Sequence, residues 1–104
     1  MLSMAVSLAR HLHGTGVTSN VVTPGLIDVP PNRAFWTEMN ESRHFGDTWE
    51  EIERGVVGEL LPKDVGRMGQ PGDVGAVVAF LASPLCRFVS GVNWRVDGGS
   101  TVSI

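Results

Sequence analysis

The segment Val17–Asp28 constrains the fold of this chain more than any other stretch. It begins with a valine-rich apolar run, breaks at Pro24 and Gly25, and becomes apolar again before a carboxylate. Proline has a fixed φ and no backbone N–H, and glycine lets the chain pass close to a neighbouring group. In an open α/β sheet, ligands bind in a crevice at the carboxyl ends of the strands, and a strand that ends at a Pro-Gly pair turns out of the sheet at that edge. We therefore expect a strand followed by a ligand-facing loop.

Two strands and two flanking helices are predicted around this loop. Segment 1–13 has the apolar spacing of a helix and ends at Gly14. The strands are predicted over 17–22 and 92–96, and the second helix over 71–83, from Pro71 to the residue before Pro84. The predicted buried stripe of that helix is Val74, Val77, Val78 and Leu81. A strand, a helix and a further strand indicate parallel neighbours joined by a right-handed crossover.

The region 29–62 is the least regular part of the chain. Pro30 and Pro31 predict an extended start, a short helix is expected around Phe35, and Thr48 is placed to cap a second helix with acids in its first turn. Its large side chains are typical of a segment that covers a substrate; the alternative, that they anchor a long surface connection, is less favoured because they exceed what a surface loop needs. The candidate substrate-contacting residues are Phe35, Trp36, Met39 and Trp49.

Composition excludes several classes of function. A net charge of −3 gives no electrostatic footprint for nucleic acid or an anionic membrane, and no apolar run is long enough to cross a bilayer. The single cysteine, Cys86, cannot form an internal disulfide, which favours a reducing, cytoplasmic compartment. His11 and His13 are two residues apart on a predicted helix and point to nearly opposite sides, so we expect no metal site.

Three motifs in order resemble the C-terminal part of the short-chain dehydrogenases/reductases. They are Asn20–Asp28, the run from Gly66 to Val74, and the run from Ser90 to Gly99. The resemblance implies an α/β fold in which residues 1–104 form a single partial domain of a doubly wound, Rossmann-like parallel sheet. It also implies that 29–62 is the substrate-covering segment, and that the full-length form is a homo-oligomer in which the first helix meets its copy. The apolar pattern of that helix fits an ordinary core helix equally well.

The resemblance implies a nicotinamide site on the loop after the first strand. Pro24 and Gly25 would wall one face of the ring, and the backbone of Ile27 would bond the carboxamide. The family commonly has threonine where this chain has Val29, so one side-chain hydrogen bond to the carboxamide is expected to be lost. The implied cofactor is NAD or NADP, which the sequence does not distinguish, and the implied substrate is a small, apolar carbonyl or alcohol compound.

The catalytic residues of the resembled family have no counterpart here. Its proton donor is a tyrosine followed one helical turn later by a lysine, and this chain contains no tyrosine. Alignment of the first helix places both residues before Met1, and no glycine-rich phosphate loop is present. We therefore expect the C-terminal fragment of an NAD(P)-dependent oxidoreductase, inactive by itself. The alternative is a non-catalytic module that associates with full-length relatives.

Overall fold

The structure is a computed structural model of the chain, and it describes residues 1–100. The chain divides into two compact units. Unit 1 comprises Met1–Pro24 and Gly72–Val96, and unit 2 comprises Gly25–Pro71 and residues 97–100. The helices and strands, in chain order, are α1 (Leu2–His11), β1 (Val21–Pro24), α2 (Pro30–Arg43), α3 (Trp49–Gly55) with a π-helical turn (Val56–Leu60), α4 (Pro71–Ala82), a 3₁₀ turn (Pro84–Cys86) and β2 (Asn93–Val96).

Unit 1 is built around a two-stranded parallel sheet. β1 and β2 run side by side, with Val21 opposite Asn93 and Pro24 opposite Val96. Along β2 the side chains alternate between exposed and half-buried. The predicted α/β class with two parallel strands is therefore confirmed.

The first strand begins later than predicted. Instead of continuing the ladder, Ser19 and Asn20 use polar groups to hold the loop that precedes β2. The Ser19 N–H donates to Ser90 Oγ over 3.2 Å, and the Asn20 side chain accepts from the Val92 N–H over 3.1 Å and donates to the Val89 carbonyl over 3.1 Å. The ladder therefore extends over Val21–Pro24, and the predicted strand over 17–22 was wrong at both ends.

The helices of unit 1 leave much apolar surface exposed. Among the described residues of this unit, only Ala5 and Cys86 are buried. Val78 of α4 is 49% exposed, so its predicted place in a buried stripe was wrong, while Val74, Val77 and Leu81 are half-buried. A sheet of two strands is too narrow to cover a whole helix face. Phe80 packs edge-on against Trp94 of β2, with the ring centroids 6.3 Å apart.

In unit 2 the helices begin where their first residues suit a helix start. Pro30 and Pro31 are the first two residues of α2, so the predicted extended conformation there was wrong. Proline at these positions lacks only N–H groups that a helix leaves unpaired in any case. As predicted, Thr48 caps α3: its hydroxyl accepts from the Glu51 N–H, and the Glu51 carboxylate accepts from the Thr48 N–H.

The core of unit 2 lies around α3 and its π-helical extension. Its buried members are Ile52, Val56, Val57 and Met68. Half-buried side chains pack against this cluster, namely Leu26, Trp36, Phe45 and Trp49. Within residues 1–100, the helices are all too short or too polar to be membrane spans.

Candidate functional site

The loop Leu26–Val29 is held by a short stretch of parallel pairing with Gly69. The Gly69 N–H donates to the Leu26 carbonyl over 3.0 Å, and the Asp28 N–H donates to the Gly69 carbonyl over 2.7 Å. In parallel pairing of this kind, the N–H and C=O of the middle residue, Ile27, point away from the partner strand. The Ile27 carbonyl accepts from the Val29 N–H and the Asn32 side chain. No group within residues 1–100 accepts from the Ile27 N–H.

Gly25 lies against the backbone of Asp97 in unit 2. A Cβ built on Gly25 would lie 2.7 Å from Asp97 Cβ and 2.8 Å from Asp97 Cα. Real Cβ atoms do not approach other carbons so closely, so this position requires glycine. The requirement comes from close approach of two backbone segments, because Gly25 has a φ outside the left-handed region.

Asp28 forms the principal ion pair beside this loop. Arg33 donates from Nε to Asp28 Oδ1 over 3.1 Å and from Nη2 to Oδ2 over 2.8 Å, while the Asp28 side chain is only 9% exposed. The pKa of Asp28 lies below its ordinary value, chiefly because of the hydrogen bond from Arg33, with smaller contributions from Gln70 and Trp49. The Arg33 guanidinium also lies 4.6 Å from the centroid of the Trp49 ring.

Val29 is the residue before the first turn of α2. Its carbonyl accepts from the Arg33 N–H over 2.9 Å, and its side chain makes no capping hydrogen bond. Since Pro30 and Pro31 have no N–H, the first turn of α2 lacks two of the donors that a capping side chain would otherwise serve. A valine at this position is therefore tolerated by the helix, although it supplies no polar atom to the loop.

The four predicted substrate-contacting residues separate into two pairs. Phe35 is 54% exposed, and it lines a groove of about 340 Å³ together with Met39, Glu38, Glu41 and Ser42. Trp36 and Trp49 instead pack against the core of unit 2. Phe35 and Trp36 meet edge to face, with the ring centroids 5.0 Å apart. Phe35 and Met39 therefore share a groove, while Trp36 and Trp49, which are half-buried, share contact with the core.

Pro24 ends β1 in unit 1, where it is exposed. His11, His13 and His44 are exposed as well. Within residues 1–100, His, Cys, Asp and Glu side chains form no group of three that could hold a metal ion.

Sequence reasoning missed the grouping of Asp28, Arg33 and Trp49. The first two are five residues apart, a spacing that brings side chains together only if a helix begins between them. The pattern that could have revealed it is the Pro30–Pro31 pair, because proline is enriched in the first helical turn. With the helix start placed there, Arg33 lies in that turn and can reach back to Asp28.

Comparison with known proteins reveals extensive similarity. The family model described as enoyl-(acyl carrier protein) reductase matches residues 1–101. The 3-oxoacyl-[acyl-carrier-protein] reductase MabA of Mycobacterium tuberculosis is 37% identical over 99 residues, covering 95% of this chain and 34% of MabA. The 2,3-dihydro-2,3-dihydroxybenzoate dehydrogenase of Escherichia coli is 33% identical over 104 residues, covering 96% of this chain and 38% of that enzyme.

A solved structure shows the same relationship. The blue fluorescent protein from a metagenomic library, solved in complex with NADPH, is 34% identical and superimposes with a TM-score of 0.68. The match covers 97% of this chain and 34% of that protein. The chain thus spans about a third of the length of the relatives that it matches.

Proposed function

Since this chain belongs to the short-chain dehydrogenase/reductase family, we propose that it forms the nicotinamide-facing part of an NAD(P)-dependent oxidoreductase. The bound cofactor would exchange a hydride with the carbon of a carbonyl or alcohol substrate. The residues of this chain would bind and orient the nicotinamide carboxamide and cover the substrate.

The observation that carries this proposal is the unused N–H of Ile27. The pairing of Gly69 with the loop directs this donor away from the neighbouring segment, and no group within residues 1–100 accepts from it. A carboxamide oxygen is a suitable acceptor for a backbone N–H. The loop therefore fits the carboxamide by its backbone alone.

Gly25 and Val29 support the same assignment from either side of Ile27. Gly25 allows the loop to run close along Asp97, and any side chain there would displace it. The side chain of Val29 supplies no hydrogen bond, so the contact at Ile27 would carry more of the binding free energy than in relatives with threonine. Pro24, the residue before Gly25, is assigned to the ring face by the family resemblance.

For the substrate, we propose that Phe35 and Met39 form the contacting surface. Both line the same groove on α2, and their apolar side chains favour an apolar carbonyl or alcohol compound. Trp36 and Trp49 would hold α2 on the core of unit 2. The family's proton donor is a tyrosine and this chain has none, so we expect no turnover by the chain alone.

A second proposal concerns association. Leu2, Met4 and Leu8 of α1 are exposed, as is Met1 before it, and 43% of Phe80 on α4 is also exposed. Apolar surface of this extent on one unit is typical of an interaction surface. We propose that it is covered in a homo-oligomer or in a complex with full-length relatives, and that this occurs in the cytoplasm.

The proposal is tested by saturation-transfer NMR with NADPH. Protein methyl protons are irradiated, and the saturation that reaches the nicotinamide protons is compared with that reaching the adenine protons. We expect stronger saturation of the nicotinamide protons, because this chain would form only that end of the site. 2′-Phospho-ADP-ribose, which lacks nicotinamide, serves as the competitor and should leave the signal unchanged. Stronger saturation of adenine, or no saturation of either ring, would contradict the proposal.

A further inference from the structure

The loop that carries the Ile27 N–H is bound to the rest of unit 2 through two sets of contacts. On one side, Gly69 follows Met68, a fully buried member of the core, and pairs with the loop through two backbone hydrogen bonds. On the other side, the next residue in the chain, Asp28, is bound by side chains. The two hydrogen bonds to Gly69 set the side of the loop on which the N–H lies, and the side chains that bind Asp28 add a second restraint on the residue next to Ile27.

That second attachment is a continuous series of contacts from the core to the loop. Trp49 packs against the core, and the Arg33 guanidinium lies 4.6 Å from the Trp49 ring centroid. Arg33 then holds both oxygens of Asp28, with donor–acceptor distances of 3.1 and 2.8 Å. Paired hydrogen bonds between guanidinium and carboxylate restrict both distance and orientation, which a single contact does not. Gln70 adds a longer contact of 3.5 Å to the same carboxylate.

We propose that Asp28 and Arg33 are positioning residues that hold the Ile27 N–H in its binding direction. The inference rests on the proposed function, and neither residue is assigned contact with the cofactor. Arg33 belongs to α2, which also carries Phe35 and Met39, so the same ion pair fixes the substrate-covering helix to the loop that would bind the nicotinamide.

Hydrogen exchange in the ligand-free chain tests the positioning itself. Asp28→Asn should accelerate exchange of the backbone amides at positions 28 and 69 about tenfold, because the charge-assisted pair of hydrogen bonds from Arg33 is lost. The amide of Ile52, bonded to the Thr48 carbonyl at the start of α3, should exchange at an unchanged rate. General destabilisation of unit 2 would instead accelerate all three amides alike.

Matched variants separate geometry from charge. Arg33→Lys keeps the positive charge and loses the planar fork, so it should reproduce the effect of Asp28→Asn. The double variant should change exchange no more than either single variant, because the two residues act through each other. The controls are Asp47→Asn and Arg43→Lys, which should leave the exchange rates unchanged. The Asp47 side chain is 91% exposed, and Arg43 lies at the exposed end of α2. If Asp28→Asn does not fold, Arg33→Lys and Arg43→Lys make the same comparison.

The second readout is NADPH affinity, measured by the nicotinamide saturation described above. Asp28→Asn and Arg33→Lys should each weaken binding about tenfold, which corresponds to about 1.4 kcal/mol and is close to the contribution of one hydrogen bond to a charged group. Unchanged exchange at Asp28 and Gly69, or faster exchange with unchanged NADPH affinity, would overturn the positioning role. A wild-type chain in which the nicotinamide protons receive no saturation would contradict the proposed function instead, and this is seen before any variant is made.

Discussion

Replacement of Gly25 by alanine tests the packing on which the candidate loop depends. The added Cβ would lie 2.7 Å from Asp97 Cβ and 2.8 Å from Asp97 Cα, and a backbone atom cannot move aside as a flexible side chain can. Overpacking of this kind costs about 1–3 kcal/mol. Because φ at Gly25 is accessible to alanine, the lower entropy of the unfolded chain returns about 0.4–1 kcal/mol. We expect a net loss of about 0.5–2 kcal/mol in the free energy of unfolding.

Urea unfolding followed by tryptophan fluorescence measures this loss. In a Trp94→Phe background, the signal comes from Trp36 and Trp49, which both pack against the core of unit 2. Gly75→Ala is the control, because a Cβ on Gly75 meets nothing within 4 Å. A Gly25→Ala variant as stable as the parent would refute the argument that close approach to Asp97 requires glycine.

Four further outcomes follow from the structure. Gly72→Ala and Gly75→Ala together should raise the thermal unfolding midpoint. Both positions are exposed with open space for a Cβ, and each glycine destabilises a helix by about 0.5–1 kcal/mol. An unchanged midpoint would contradict this. Thr48→Ala should destabilise unit 2 by about 1 kcal/mol, and Thr48→Ser should restore most of it; equal stability of the two variants would show that the cap is unimportant. Because the pKa of Asp28 is lowered in the folded chain, the unfolded chain binds more protons at acid pH. The free energy of unfolding should therefore fall as the pH drops from the ordinary carboxyl range through that pKa. Urea titrations at several pH values should show a smaller fall in the Asp28→Asn variant. Val29→Thr should strengthen NADPH binding about two- to tenfold by adding one hydrogen bond; weaker binding would place the carboxamide elsewhere.

Local chemistry allowed several elements to be predicted from the sequence. Helix α4 begins at Pro71 as predicted and ends one residue before the predicted end, because proline marks its start and excludes helix before Pro84. The cap at Thr48 was predicted from the acids in the turn that follows it. The parallel pairing of β1 with β2 followed from the order of strand, helix and strand.

The errors arose where tertiary contacts decide the outcome. Valine content predicted a strand from Val17, yet the Asn20 side chain and the Ser19 N–H bond the loop before β2 instead. The position of Val78 on a helix face gave no information on whether anything covers that face. For the candidate site, the sequence identified the loop by its Pro24–Gly25 pair, while the contacts of Asp28 with Arg33 depend on where α2 begins.

The most direct test of the central claim is a titration of the ¹⁵N-labelled chain with NADPH, in which the backbone amide of Ile27 is observed. We expect the Ile27 resonance to move downfield until the chain is saturated, because a free N–H gains an acceptor. The resonance of the Asp28 amide, which is already bonded to Gly69, should move less. If Ile27 stays unmoved while NADPH saturates the chain, the nicotinamide is bound elsewhere and the assignment of this loop is wrong.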